Sequence, residues 1–238
     1  AVNLFGQLAD YEKIEKIARK YNLLLIEDAA QSFGASYNNK RSCSFGDVAA
    51  TSFYPAKPLG CYGDGGAIFT NDSKKANIYR SIRVHGQGID KYDNIRIGLN
   101  SRLDTLQADI LLNKLDIFDE ELINRNRIAK FYNKKLEHIM QVPFIDSQNT
   151  SSWAQYSILV KEPSQREVMI NYLTSQNIPT AIFYKKIFSN LDIYKNLNNN
   201  AYAISENISK RIFSIPMHPY LKDSDLNLIV SAINNFFK

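Results

Sequence analysis

The chain has 238 residues, of which 45% are hydrophobic and 22% are charged, and its formal net charge is +5. These values are typical of a globular protein with one large or two small domains, and the mild charge without a Lys/Arg-rich block argues against nucleic-acid binding. We expect no membrane-spanning segment, no signal peptide and no metal site, because no apolar run is long enough and Cys43 and Cys61 lack metal-ligand spacing. The same two cysteines predict no disulfide framework, so we expect a reduced, cytoplasmic protein.

The first half of the chain predicts alternating helices and strands. Apolar residues recur at helical spacing over 10–21, where Asp10 can cap the helix. A run of aliphatic residues from Leu23 predicts a parallel strand that ends at Asp28. The remaining elements predicted in this half are a turn at 38–40, strands at 48–53 and 67–70, and a helix from 71–73 to about 82. This alternation predicts an α/β fold with a large, mostly parallel sheet.

The second half of the chain predicts a smaller α+β domain. A polar loop at 84–94 precedes a long helix that begins at Ser101 or Asp104 and continues past Ile139. We expect the domain boundary near Glu120, which gives domains at 1–120 and 121–238. The later elements predicted are a strand at 154–160, a helix at 165–176, a short strand at 180–183, a polar loop at 196–200, a helix at 201–210, a strand at 211–214 and a final helix at 224–237.

Lys57 lies in a loop rich in glycine and proline, directly after the apolar run at 48–53. Pro58 prevents a helix and favours an extended backbone at Lys57, and the glycines allow the backbone to approach a bound group closely. A lysine held still in such a loop suits imine chemistry, because desolvation can lower its pKa and make the amine nucleophilic. Taken alone, a lysine in a loop of this kind is more often a solvent-exposed surface residue.

Asp28 is predicted at the carboxyl end of a strand, where ligands bind in open α/β sheets. Ser52 and Lys57 follow the next strand and would lie at the same edge. A carboxylate there could pair with a protonated pyridine nitrogen, and pyridoxal phosphate sites combine such an aspartate with a Schiff-base lysine. Taken alone, an aspartate at this place is more often a helix cap or a turn residue, but Asp28 and Lys57 together favour the cofactor site.

Several motifs together resemble the DegT/StrS family of nucleotide-sugar aminotransferases. The resemblance covers nearly the whole chain, and its strongest segments are 26–35, 52–60, 63–67 and 98–108, with weaker ones at 179–180 and 214–219. Members of that family are fold-type-I enzymes that use pyridoxal phosphate. The resemblance therefore implies a partial large cofactor-binding domain at 1–120 and a small C-terminal domain at 121–238.

The resemblance implies a role for each cofactor-site residue. Lys57 would be the catalytic residue, which bonds to the cofactor and then moves a proton, and Asp28 would pair with the pyridinium. Gln31 would meet the ring or its hydroxyl, although it also fits a polar helix-start residue. Ser52 would donate to the phosphate, although it also fits a strand hydroxyl that bonds to the backbone. Asn100 would reach the phosphate of a neighbouring subunit's cofactor, which implies a homodimer.

Two further residues would bind substrate. Arg102 could hold a carboxylate of glutamate or of a uronic acid through its planar guanidinium, and a salt bridge with Asp104 or another surface acid is an equal alternative. Tyr184 matches a tyrosine of the family's substrate pocket, although the flanking residues Phe183 and Lys185 replace the usual histidine and proline.

The function implied by the resemblance is transfer of an amino group from glutamate to a keto group on a nucleotide-linked sugar. Residues 41–43 and 57–63 are most similar to aminotransferases that act on UDP-2-acetamido-2-deoxy-3-oxo-glucuronate in O-antigen pathways. A 4-keto-6-deoxy nucleotide sugar is the competing substrate. Family members carry a long stretch before the point where this chain begins, so a truncated, non-catalytic binding or regulatory relative is the alternative from another class.

Overall fold

The computed structural model describes residues 1–194 and 202–238. The described chain divides into two compact units, one formed by Ala1–Leu122 with Ile145–Ala154 and the other by Ile123–Phe144 with Gln155–Lys238. The predicted domains 1–120 and 121–238 differ from this division chiefly at Ile145–Ala154, which returns to the first unit. The polar loop predicted at 196–200, and the first residue of the helix predicted at 201–210, lie outside the described residues.

The first unit has the alternating helices and strands of an α/β fold, as predicted. Its elements are α1 (Tyr11–Lys20), β1 (Ile26–Asp28), β2 (Ser36–Tyr37), β3 (Lys40–Arg41), β4 (Val48–Ser52), β5 (Gly66–Phe69), α2 (Ser73–Arg83), the first part of α3 (Thr105–Leu136) and β6 (Asn149–Thr150). Asp10 caps α1 as predicted, since its carboxylate accepts a hydrogen bond from the backbone N–H of Lys13 at 3.1 Å.

The sheet that positions the candidate site has the strand order β1-β4-β5. β1 and β4 are parallel, with Asp28 opposite Ala50, while β5 runs antiparallel to β4 with Gly66 opposite Ser52. Val2 adds a parallel bridge to Asp28 on the other side of β1. Because β1 and β4 run in the same direction in this register, both strands end at the same edge of the sheet.

The strand predicted from Leu23 begins later, at Ile26, and Leu23 and Leu24 are 58% and 81% exposed. The cause is the end of α1, where Asn22 has a positive φ of 51° and the N–H of Leu23 donates to Ala18 O at 2.9 Å. This bond satisfies a carbonyl in the last turn of α1, so the backbone of Leu23 belongs to the helix end and not to the strand. The prediction that the strand ends at Asp28 is confirmed.

The turn predicted at 38–40 connects β2 and β3, and the sequence pattern missed this hairpin. Asn38 and Asn39 both have positive φ, 48° and 62°, as a two-residue hairpin turn requires. β6 pairs with the other side of β2, so that Ser36 lies opposite Thr150. This pairing joins Ile145–Ala154 to the first unit.

The second unit packs helices and a two-stranded antiparallel sheet around its own core. Its elements are the last part of α3, β7 (Tyr156–Leu159), α4 (Pro163–Ser175), α5 (Ala203–Arg211), β8 (Ile212–Ile215) and α6 (Asp223–Phe236). The prediction of a strand at 180–183 was wrong, because only a single bridge, between Ala181 and Ser214, forms there. None of the helices in the described part of the chain has the length and apolarity to cross a bilayer.

Candidate active site

Asp28 is the last residue of β1, and its side chain is exposed. One carboxylate oxygen, Oδ1, accepts a hydrogen bond from the N–H of Ala30 at 3.1 Å, which makes Asp28 the turn residue that the sequence allowed. The other oxygen, Oδ2, has no partner among residues 1–194 and 202–238. The turn bond fixes the carboxylate while leaving one acceptor oxygen available beyond the strand end.

Ser52 ends β4 and lies on the same face of the sheet as Asp28. Asp28 is opposite Ala50 in the parallel register, and Ser52 follows Ala50 by one strand repeat. Its hydroxyl oxygen accepts from the N–H of Tyr54 at 3.2 Å, so the backbone contact considered as an alternative is present. A hydroxyl group both accepts and donates, so this bond leaves the proton of Ser52 able to reach an anion.

Lys57 lies in a tight loop that continues from the carboxyl end of β4. Its backbone N–H donates to Tyr54 O at 2.8 Å, and the N–H of Cys61 donates to Phe53 O at 2.8 Å. A Cβ on Gly60 would lie 2.7 Å from both Tyr54 O and Pro55 O, so only glycine fits where the loop closes. The Lys57 side chain is half-buried, and its ammonium has no ion-pair or hydrogen-bond partner in the described part of the chain.

Apolar side chains fix the Lys57 loop onto α3. Leu59 and Cys61 are each 1% exposed and belong to a core cluster with Leu111 and Phe118 of α3. The Cys61 thiol also lies 3.0 Å from Phe53 O, within hydrogen-bond distance. The expected fixed loop is therefore present, and its burial comes from the residues that follow Lys57.

Gln31 is buried in the turn after β1. Its side-chain oxygen accepts from the N–H of Phe5 at 2.6 Å, and its backbone carbonyl accepts from the Ser152 hydroxyl at 2.8 Å. The amide oxygen is thus bonded within the protein. The ring contact expected for Gln31 stays a prediction.

Asn100 and Arg102 line an open groove of about 1480 Å³ in the first unit, which Ala50 and Ile68 also line. Asn100 forms an isolated antiparallel bridge with Val84. The described residues contain no ion pair of Arg102 with Asp104, the alternative that the sequence left open. The side chains of Asn100 and Arg102 are exposed. Tyr184, the other residue predicted to bind substrate, belongs to the second unit and is 53% exposed.

Glu27 is a residue of the site region that sequence reasoning missed. It is fully buried, and its carboxylate accepts four hydrogen bonds, from Asn3 Nδ2 at 2.8 Å, Ser42 Oγ at 3.1 Å and the N–H groups of Cys43 and Phe45, each at 2.9 Å. Two acidic residues in succession on a strand must face opposite sides, so the Glu27–Asp28 pair was an available signal. The Glu27 carboxylate therefore fixes β1 to residues on the buried face of the sheet, while Asp28 lies on the exposed face.

The chain matches the DegT/DnrJ/EryC1/StrS aminotransferase family over residues 1–234. It belongs to this family. The predicted resemblance and the α/β fold of the fold-type-I transferases are therefore confirmed.

Among curated members of the DegT family, UDP-2-acetamido-2-deoxy-3-oxo-D-glucuronate aminotransferase of Pseudomonas aeruginosa is 45% identical over 98% of this chain and 64% of its own length. The dTDP-3-amino-3,6-dideoxy-alpha-D-galactopyranose transaminase of Aneurinibacillus thermoaerophilus is 41% identical over 99% of this chain and 64% of its own length. The chain thus spans 64% of the length of these relatives.

Two solved structures superpose closely on this chain. A DegT DnrJ EryC1 StrS aminotransferase from Brucella abortus has a TM-score of 0.95 and 47% identity, covering 99% of this chain and 63% of its own. DesV of S. venezuelae, solved in complex with a ketimine intermediate, has a TM-score of 0.92 and 29% identity, with coverages of 99% and 63%.

Replacement of Glu27 by glutamine should lower the free energy of unfolding by about 1–3 kcal/mol, because an amide NH₂ would then face a donor that has lost its acceptor. Urea unfolding of the Glu27→Gln variant measures this change. Glu120→Gln, on an exposed position of α3, is the matched control and should stay within about 0.5 kcal/mol of the parent. Equal stability of the two variants would contradict the anchoring role of Glu27.

Burial raises the pKa of the Cys43 thiol to about 11. The reactive thiolate is then scarce near pH 8, so iodoacetamide should label Cys43 roughly 100-fold more slowly than an ordinary cysteine. Peptide mass spectrometry after timed labelling measures the rate at this residue, and the rate in urea supplies the reference. Equal rates in folded and unfolded protein would show that this loop is open.

Proposed function

We propose that the protein is a pyridoxal-phosphate-dependent aminotransferase that moves an amino group from glutamate to a keto group on a nucleotide-linked sugar. One observation carries the proposal. The half-buried Lys57 follows β4, the strand paired with β1. At the same edge, where β1 ends, Asp28 has one carboxylate oxygen without a partner among the described residues. An amine and an acid at one sheet edge are the pair that a pyridine aldehyde cofactor requires.

The available groups fit the cofactor. Oδ2 of Asp28 would accept a charge-assisted hydrogen bond from the ring nitrogen, and the Ser52 hydroxyl would donate to the phosphate. We assign Gln31 to the ring and Asn100 to the phosphate of a neighbouring subunit's cofactor. Pyridoxal phosphate, when bound, supplies an electron sink for the carbon that loses or gains a proton.

Lys57 is the residue to which we assign proton transfer. Its Nζ would first hold the cofactor covalently and, once the substrate amine displaces it, would carry the proton between the two carbons that exchange it. Transfer of this kind needs an amine held in one place, within reach of both carbons. The turn bond at Tyr54 and the buried residues Leu59 and Cys61 support that requirement.

For the acceptor we propose a keto group at C3, on UDP-2-acetamido-2-deoxy-3-oxo-glucuronate. The relative at 45% identity is named for a sugar with a 3-oxo group, and the relative at 41% identity for a sugar with a 3-amino group. Arg102 is exposed and would bind a carboxylate of the uronic acid or of glutamate through its guanidinium. We assign Tyr184 to the sugar-binding surface because it matches a tyrosine of the family's substrate pocket.

We further propose a cytoplasmic homodimer that serves surface-polysaccharide synthesis, including O-antigen. The exposed side chains of Ile97, Leu99 and Asn100 support a subunit contact near the shared site. Cys43 and Cys61 are both free thiols, which suits a reducing compartment. A regulatory role is the second candidate, since a 35% identical relative from Geobacillus stearothermophilus is named "Pleiotropic regulatory protein".

Removal of the Lys57 amine should abolish covalent attachment of pyridoxal phosphate and lower amino transfer at least about 100-fold. The protein, purified as the full natural chain, is mixed with the cofactor, reduced with borohydride and mapped by mass spectrometry. Amino transfer from glutamate is measured with UDP- and dTDP-linked 3-keto and 4-keto sugars. Lys57→Ala is compared with Lys130→Ala, an exposed lysine of α3 that should behave as the parent.

The outcomes separate the candidates. A cofactor adduct at Lys57 together with amino transfer to a 3-keto sugar would support the proposal. Amino transfer only to 4-keto sugars would show that the acceptor is a 4-keto sugar instead. Full activity in Lys57→Ala would contradict the catalytic role. A parent protein that takes no cofactor and transfers to no sugar would favour the regulatory candidate.

A further inference from the structure

One stripe of α3 faces the loop that carries Lys57. Gln107, Leu111 and Lys114 are spaced i, i+4 and i+7 and therefore share one side of the helix. Leu111 packs in the cluster with Leu59 and Cys61. The two polar members of the stripe contact the loop backbone on either side of Cys61.

Lys114 reaches the loop through its ammonium group. Its Nζ donates to the backbone carbonyl of Gly60 at 2.6 Å, in a half-buried position, and lies 5.9 Å from the ring centroid of Tyr62. Over the described ranges, Lys114 has no carboxylate partner, so its charge is directed at a neutral carbonyl. A hydrogen bond to a charged donor contributes more than a neutral one, which makes this contact a strong constraint on Gly60.

Gln107 makes the second contact. Its Oε1 accepts from the backbone N–H of Tyr62 at 2.8 Å. Gln107 also lies close beneath Gly63, where an added Cβ would be 3.3 Å from its Nε2. The loop backbone is therefore held at the Gly60 carbonyl by one side chain and at the Tyr62 amide by another.

These two hydrogen bonds supply what the apolar anchors do not. Burial of Leu59 and Cys61 holds the loop against the helix, but apolar attraction is non-directional and leaves the loop able to rotate or slide. A hydrogen bond weakens steeply with distance and angle. Two such bonds on opposite sides of a buried residue fix the orientation of the loop and hence the position from which Lys57 extends.

We propose that Lys114 and Gln107 are positioning residues for the Lys57 amine. They touch the loop backbone and act on the reaction only through Lys57. The inference rests on the proposed function, because it concerns how fast the amine reaches the aldehyde of pyridoxal phosphate. In that step the neutral Nζ would attack the aldehyde carbon, the C=O double bond would be replaced by a C=N double bond, and the oxygen would leave as water with the two protons of the amine.

The test compares covalent attachment with simple binding in the full natural chain. The rate of attachment at Lys57 is followed by borohydride trapping and mass spectrometry. Affinity is measured with pyridoxamine 5′-phosphate, which has an amine in place of the aldehyde and cannot form the bond. In Lys114→Met the rate should fall at least about tenfold while the Kd for this analogue changes less than about twofold.

Conservative variants and a distant control sharpen the comparison. Lys114→Arg keeps a cationic donor and should restore most of the rate, and Lys130→Met should match the parent. Gln107→Leu removes the acceptor of the Tyr62 N–H and should slow attachment of the cofactor. Gln107→Glu keeps an acceptor oxygen and should leave the rate of attachment unchanged. The Gln107 pair tests the inference independently if Lys114→Met fails to fold.

Each outcome decides something. An unchanged rate in Lys114→Met and Gln107→Leu overturns the positioning role and leaves the proposed function standing. Equal losses in rate and in analogue affinity also overturn it, because they indicate general damage to the site. If the parent protein forms no adduct at Lys57, the proposed function fails and this inference fails with it.

Discussion

The parallel pairing of β1 with β4 is the constraint on which the candidate site depends. Its register sets Asp28 opposite Ala50, so that Asp28 and Ser52 project from one face of the sheet and the Lys57 loop begins at the same edge. A shift of one residue in either strand would turn these side chains to the other face. The buried carboxylate of Glu27, bonded to Asn3 and to residues 42–45, opposes such a shift.

The site combines fixed backbone with unengaged side-chain atoms. Asp28 uses one carboxylate oxygen in its turn, and within residues 1–194 and 202–238 its other oxygen and the hydroxyl proton of Ser52 have no partner. The loop around Lys57 is closed by backbone bonds and held on α3 by apolar and polar contacts. Because the scaffold is already bonded, little ordering is needed when a ligand binds, which favours binding by a preorganised site.

Local patterns in the sequence were enough to predict much of this arrangement. The aliphatic run into Asp28 predicted where β1 ends, and Asp10 predicted the start of α1, because strand ends and helix caps depend on neighbouring residues. Long-range pairing was not predictable in this way. The return of Ile145–Ala154 to the first unit depends on Thr150 pairing with Ser36, a contact without a local signal.

The roles of single side chains were also harder to predict than their locations. The contact of Gln31 with the cofactor ring stays a prediction, and the hydrogen bond that its oxygen accepts from Phe5 N had no signal in the sequence. Gln107 and Lys114 appear in sequence as ordinary polar positions of a long helix, and only the fold brings them to the backbone of the Lys57 loop. Contacts of this kind depend on tertiary packing, which helical periodicity does not specify.

We propose that Lys57 and Asp28 hold opposite ends of one pyridine ring, and a crystal structure of the full natural chain with pyridoxal phosphate would test this arrangement. We expect continuous density from the Lys57 Nζ to the cofactor and a distance of about 2.7–2.9 Å between Asp28 Oδ2 and the ring nitrogen. A cofactor bound away from Lys57, or one whose ring nitrogen lies out of reach of Asp28, would rule the arrangement out.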